Sequence, residues 1–197
     1  MRKGKVIRIG FDFDGVIAYN PFRIIRFPIA LFKKVFLHKK TLKFYYPGSE
    51  LEKKLWILAH ESSYFPAKGF SKLRRLIEDG KIEAYIVTGR YSFLEKSLKR
   101  WLRRYKAENL FKEYYINKKD EQSHLFKEKM IKKLDLDYFV EDNLDIVNHL
   151  SSRFSVLGSK FKTEVHWIYN ILDRFEKYEH KYPHLEYFLK EIERKLK

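Results

Sequence analysis

The chain has 197 residues, 45% of them hydrophobic and 17% aromatic against 35% charged, which excludes a disordered chain and fits one domain with room for a sizeable insertion. It has no cysteine, which excludes disulfides, thiolate metal sites and a Cys nucleophile and agrees with a reducing cytoplasm. The formal net charge of +16 attracts phosphate-bearing partners, nucleic acid among them, although a lysine-rich solubilising surface would give the same balance.

Val6 to Asp12 reads as a buried strand, because it is continuous, apolar and β-branched and is stopped by Gly15. The basic N-terminus is broken by Arg8 and ended by acids, so it resembles neither a signal peptide nor an anchor. From Val16 to about Pro66 there is no convincing strand, only aromatic and basic sequence with a helix cued by Ser49-Glu-Leu-Glu52. Its most apolar part, Ile24 to Leu37, is interrupted by Arg26, Lys33 and Lys34 and is too short to span a bilayer, so no stable membrane insertion is expected. Gly15 to Ser49 contains no acid but seven basic residues: Arg23, Arg26, Lys33, Lys34, Lys39, Lys40 and Lys43.

Phe70, Leu73, Leu76 and Ile77 then share a helical face, with Gly80 placed as a C-cap glycine. Ile82 to Thr88 is a second strand, stopped by Gly89. Ser92-Phe-Leu-Glu95 has the form of a capping box before a helix whose apolar face is Leu94, Leu98, Trp101, Leu102 and Tyr105. Glu113 to Asn117 and Asp137 to Glu141 are short strands around a helix marked by Met130, Ile131 and Leu134. Phe154 to Leu157 and Val165 to Tyr169 are weaker strand candidates. Leu185, Phe188, Leu189, Ile192 and Leu196 mark a final helix. Strands alternating with helices of this length predict βαβ units and a mainly parallel sheet.

In such a sheet ligands bind beyond the carboxyl ends of the strands. Asp12 and Asp14, Thr88, and Glu141 with Asp142 all stand at such ends, so they converge on one crevice. Like charges 4 Å apart repel by about 4 kcal/mol at an effective dielectric near 20. Four acids in one crevice therefore call for a divalent cation and a lysine. Read singly, Asp12-Phe-Asp14 would pass for a solvated loop, and Asp142 or Asn143 for a helix cap.

These stretches resemble, in order, the four motifs of the haloacid dehalogenase superfamily of phosphohydrolases. Asp12-Phe-Asp-Gly-Val16 matches the DxD signature, Ile86-Val-Thr-Gly-Arg90 the strand ending in Thr or Ser, a lysine near 127 the third motif, and Phe139-Val-Glu-Asp-Asn143 the acidic fourth. The resemblance implies a three-layer, Rossmann-like α/β core over residues 1–16 and 67–197, with a small helical cap, residues 17–66, inserted after the first strand. It implies that Asp12 attacks phosphorus to form an aspartyl-phosphate and that Asp14 moves the proton. Thr88, Gly89, Arg90 and Lys127 would bind the phosphoryl group, Arg90 facing either substrate or a neighbouring helix and Lys129 being the alternative lysine. Mg2+ would be held by Asp12, the Asp14 carbonyl, Asp142 and, directly or in support, Glu141.

The implied substrate is a small phosphomonoester, a nucleotide in particular, since the cap length and Val165 to Asn170 resemble the 5′(3′)-deoxyribonucleotidase branch. A phosphatase of nucleic-acid ends or a non-catalytic basic binding protein are the alternatives. Phe22, Phe27, Tyr45, Tyr46 and Trp56 suit either base stacking or the insertion's own core, and Arg23 and Arg26 suit a second anionic group or the surface. His38, His60, His124 and His166 show no metal-ligand spacing and read as structural or solvent-facing.

Overall fold

The computed structural model describes residues 6–21, 42–156 and 162–196. Its strands are β1 (Ile7–Phe11), β2 (Ile82–Tyr91), β3 (Glu113–Asn117), β4 (Tyr138–Glu141), β5 (Glu164–Ile168) and β6 (Lys181–Tyr182). They form one sheet in the order β3-β2-β1-β4-β5-β6, and every pairing is parallel. Its helices are α1 (Glu50–Glu61), α2 (Phe70–Glu78), α3 (Glu95–Arg104), α4 (Ser123–Leu134), α5 (Leu144–Val156) and α6 (Leu185–Lys195). None of the described helices is long and apolar enough to cross a membrane.

The period of two along each strand sorts its side chains onto two faces. Ile7, Ile9 and Phe11 of β1 join Ile82, Ala84 and Ile86 of β2 against α2, α3 and α6. Tyr85, Val87, Phe139, Val165 and Trp167 pack on the other face against α4 and α5. Two apolar cores around one sheet make the expected three-layer α/β architecture, and each fully buried large side chain contributes about 1.5–3 kcal/mol. The strand order reverses between β1 and β4, so the crevice for a ligand opens at the carboxyl ends of those two strands.

Several local readings are met and others corrected. Ser49 caps α1 in a full capping box, its side chain accepting from the Glu52 N–H while the Glu52 carboxylate accepts from the Ser49 N–H. Ser92 does not do the same: a 3-10 turn, Ser92–Leu94, precedes α3, and the Ser92 N–H and hydroxyl both donate to Asp120 instead. β2 does not stop at Gly89 but runs on to Tyr91, with a register shift against β3 after Thr88. The weak strand candidate at Phe154 is the end of α5, because Ile146, Val147, Leu150 and Phe154 bury one helical stripe under Trp167. Its last residue, Leu157, lies outside the described residues.

Of the expected insertion, only residues 17–21 and 42–66 are described, and Phe22, Arg23, Arg26, Phe27 and His38 lie outside them. Tyr45 packs on Trp56, and Tyr46 packs edge-on against Tyr91 at the end of β2. Tyr45 and Trp56 thus pack within residues 42–66, and Tyr46 packs that stretch onto the sheet.

Candidate active site

β1 delivers Asp12 to the crevice, and the Asp12 N–H donates to the Val140 carbonyl at 2.9 Å, which fixes it to β4. Gly15 at φ 84° then turns the chain sharply, its N–H donating to the Ala18 carbonyl. This turn places Asp14 in the same crevice, with its carboxylate buried.

Lys127 reaches the crevice from α4. Its Nζ stands 3.2 Å from Asp12 Oδ2 and donates to Glu141 Oε2 at 2.6 Å, and the residue is only 2% exposed. Lys129, the alternative, lies on the exposed side of α4 beside Glu121. The helix thus decides between the two lysines: positions two apart on a helix face different ways, and Lys127 shares its side with Met130, Ile131 and Leu134.

Glu141 ends β4 fully buried, and its Oε1 accepts the N–H groups of Asp142 and Asn143. The helix cap falls to Asn143, whose Oδ1 accepts from Asp145 and Ile146 at the start of α5. Asp142 turns instead to the crevice, and its carbonyl is held by the Trp167 indole N–H. Carboxylate oxygens of Asp12, Glu141 and Asp142 lie within 4.8 Å of one another.

Asp14 has a different environment. Arg90 grips it with both ends of the guanidinium: Nε donates to Oδ2 at 2.7 Å and a terminal nitrogen to Oδ1 at 2.8 Å. The Ser63 hydroxyl donates to Oδ1 at 2.5 Å. Arg90 also reaches the Ser97 hydroxyl and the His60 carbonyl, and its guanidinium lies 4.6 Å over the Phe13 ring. Arg90, expected to face either substrate or a neighbouring helix, turns its donors here to Asp14, the His60 carbonyl and Ser97 of α3, and Asp14, expected to keep its side chain clear for proton transfer, is held on both oxygens.

Thr88 is buried at the crevice end of β2, its hydroxyl accepting the Arg90 N–H. Gly89 also permits a close approach to α4. A Cβ there would stand 1.9 Å from Ser123 Oγ and 2.9 Å from Ser123 Cβ. Gly89→Ala is therefore expected to push the start of α4, and Lys127 with it, off the sheet. Overpacking of this kind costs about 1–3 kcal/mol. A thermal melt unchanged from the wild type would contradict that reading.

Burial sets the ionisation of this cluster. Burial, with Asp142 and Asp14 nearby and Lys127 opposing, raises Asp12 to about 6. Burial raises Glu141 to about 8, Lys127 again opposing while Asp12 and Asp142 add to it. Burial would also raise Asp14, but the charge and hydrogen bonds of Arg90, helped by His60 and Ser63, hold it well below the usual carboxylate range. Lys127 is pushed above its ordinary value, its acidic neighbours outweighing burial.

Three clustered buried carboxylates, two of them resisting ionisation, form a hard-oxygen donor set that suits Mg2+. A carboxyl whose folded pKa lies above its unfolded value contributes stability that is complete below the unfolded pKa and is lost as pH rises through the folded one. Without metal the chain is therefore expected to lose stability between about pH 4.5 and 8, the span of the Glu141 shift. Added MgCl2 should restore it at pH 8, by about 5–10 °C in Tm at a hundredfold excess over Kd, and have little effect at pH 5. Melts at the two pH values, with and without magnesium, check this; equal shifts at both would count against it.

The sequence did not point to Ser63, Ser97 or the His60 carbonyl. No motif marks them, and only the path of the chain after α1 and the start of α3 brings them to Asp14 and Arg90.

No family model matches the sequence, and no curated protein is similar to it. Solved structures are. The putative HAD-hydrolase YfnB of Bacillus subtilis, bound to magnesium, superposes with a TM-score of 0.59 at 13% identity, covering 96% of this chain and 99% of that one. CbbY of Rhodobacter sphaeroides in complex with phosphate gives 0.58 at 13% identity, covering 92% and 96%. A putative haloacid dehalogenase-like hydrolase of Bacteroides fragilis gives 0.55 at 10% identity, covering 93% and 100%. With its parallel sheet, its strand order and these neighbours, the chain has the haloacid dehalogenase-like fold that its four motifs resemble.

Proposed function

We propose that the crevice hydrolyses small phosphomonoesters in two steps through Asp12. The observation that carries this reading is the placement of Asp12 just beyond the carboxyl end of β1, 3.2 Å from the Lys127 ammonium and clustered with Glu141 and Asp142. In the first step an Asp12 carboxylate oxygen bonds to phosphorus, the P–O bond to the leaving group breaks, and the departing alkoxide takes the proton of the Asp14 carboxyl. In the second a water oxygen bonds to phosphorus while its proton passes to the Asp14 carboxylate, the acyl phosphate P–O bond breaks, and Asp12 and inorganic phosphate are released. Lys127 holds Asp12 in place and offsets charge on the transferring phosphoryl oxygens. Thr88 adds its hydroxyl to the phosphate side of the site.

Asp14 is the proton carrier in this reading. The Arg90 clamp keeps it ionised, so it takes up a proton only after its carboxylate leaves the guanidinium. Asp12, Asp142 and Glu141 would hold Mg2+, with the Asp14 carbonyl; bound there, the ion neutralises the carboxylates and the phosphate. Magnesium in one structural neighbour and phosphate in another support the assignment.

Residues 17–66 act as a cap in this reading, and Ser63 and the His60 carbonyl are the points where it meets Asp14 and Arg90. The substrate is a small phosphomonoester, nucleotides included. The net charge of +16 favours anionic substrates and also suits a nucleic-acid end. Hydrolysis of an aryl phosphate and of a phosphomonoester panel, with magnesium and with chelator, tests the proposal. Absence of magnesium-dependent turnover on every member would end it. A polymer substrate would show binding that falls steeply with salt.

A further inference from the structure

Away from the crevice, the sheet edge carries a second cluster of metal-ligating side chains. Glu164 opens β5 and His166 lies two residues on, on the same face of the strand. His180 immediately precedes β6. One ligand atom from each of the three lies within 4.8 Å of the others. Glu164 Oε1 is 2.7 Å from His166 Nε2 and 3.7 Å from His180 Nδ1. Donors bonded to zinc at about 2.0–2.1 Å with tetrahedral angles stand about 3.3 Å apart, so the two separations bracket a coordination edge. The cluster is at the amino end of β5, opposite Tyr138 at the start of β4, whereas Asp12 and Glu141 stand at the carboxyl ends of β1 and β4.

The surroundings of His166 point the same way. The ring is fully buried, and its Nδ1 lies 3.2 Å from the Tyr182 hydroxyl. That hydroxyl gives its hydrogen to Glu191 Oε2 at 2.5 Å, so its oxygen is left to accept from His166, and Nδ1 carries the proton. Nε2 of the neutral ring then presents a lone pair toward Glu164. Although Oε1 is 2.7 Å away, it is off the line of a ring N–H, and Nε2 makes no hydrogen bond. A carboxylate oxygen beside a lone pair but off its axis is the arrangement of two ligands sharing one cation. The chain Glu191, Tyr182, His166 is the outer support that fixes a metal-binding tautomer.

We propose that Glu164, His166 and His180 form a binding site for a zinc-type divalent cation. Two imidazoles and a carboxylate suit Zn2+ and leave its fourth position to water. Bound there, the ion ties the loop before β6 to β5, reinforcing an edge strand only two residues long. Lys195, 3.5 Å from Glu164 Oε1, is the cation it would compete with; Lys195 keeps Glu191 at 3.1 Å as its partner.

The test titrates ZnCl2 into the chelator-stripped full chain by calorimetry, and Co2+ as a spectroscopic probe. It is repeated in Asp12→Asn/Asp142→Asn, which disables the crevice as a competing site. One equivalent of zinc is expected in the double variant and at least one in the parent, with the visible bands of tetrahedral cobalt in both. His180→Ala and Glu164→Gln, both at partly exposed positions, should each weaken zinc binding by about 100-fold while leaving the apoprotein melt close to that of the parent. The proposal is overturned if zinc does not bind, if both substitutions leave its affinity unchanged, or if binding disappears with the crevice acids instead.

Discussion

Asp12→Asn is expected to reduce turnover by at least about 10,000-fold while leaving the fold intact. The amide keeps the shape of the side chain and can still accept the Val140-anchored geometry of its backbone, because that contact is made by the Asp12 N–H. What it loses is the nucleophilic oxygen, and with it the covalent step on which the proposed route depends. A second loss accompanies the first: the amide cannot answer the Lys127 ammonium 3.2 Å away as a carboxylate does, so Lys127 turns wholly to Glu141. The destabilising repulsion among Asp12, Glu141 and Asp142 falls at the same time, and the variant should melt at or above the wild-type temperature when no magnesium is present. Activity and melting are therefore expected to move in opposite directions. A variant that keeps more than a few per cent of the wild-type rate would remove Asp12 from the chemistry.

The site was legible in the sequence where a strand end fixes the side chain. Asp12, Thr88, Glu141 and Asp142 each follow a short apolar run, and a parallel sheet brings the ends of such runs to one rim whatever the helices between them do. Lys127 was legible to within one alternative, and the helical period removes the other once α4 is placed. The pairing of Arg90 with Asp14 was not legible. Arg90 follows Gly89 on an extension of β2 that no residue pattern marks, and its partner Asp14 sits beyond a turn, so their meeting is a product of the tertiary path. The metal-ligating set at the sheet edge was hidden for a related reason. His166 and His180 lie fourteen positions apart with no spacing signature, and parallel pairing of β5 with β6 brings them together. The failed capping box at Ser92 shows the converse, a local signal overruled because Asp120 offers the same donors a better placed carboxylate.

Arg90→Met is expected to destabilise the protein by about 3–5 kcal/mol near neutral pH, the cost of leaving one member of a buried ion pair unpaired. Asp14 and Arg90 are both buried, the contact is bidentate, and the Ser63 hydroxyl alone cannot compensate the carboxylate. The sign of the pH dependence follows from which way the pairing moves Asp14. In the wild type Arg90 overrides burial and depresses the folded pKa, so the pair contributes stability above the ordinary 3.8 and loses it as pH falls below that value. In Arg90→Met burial acts unopposed by the guanidinium and raises the folded pKa, so the carboxyl is tolerated at low pH and destabilises as pH rises. The difference between the two proteins should accordingly shrink toward pH 4. Urea denaturation at pH 4 and pH 7 measures it, and a loss of about 1 kcal/mol or less at pH 7, the worth of an exposed pair, would refute a tightly held Asp14. Asp14→Asn in the Arg90→Met background should recover part of the loss, since the uncompensated charge is then gone. The same clamp bears on catalysis. On the proposed route, a carboxylate held ionised by Arg90 and by the Ser63 hydroxyl, with the guanidinium itself donating to the His60 carbonyl at the end of α1, can collect or deliver a proton only when that segment and the guanidinium let it go. On that route, proton transfer by Asp14 is coupled to movement of the residues between α1 and α2, which lie in the stretch proposed as the cap.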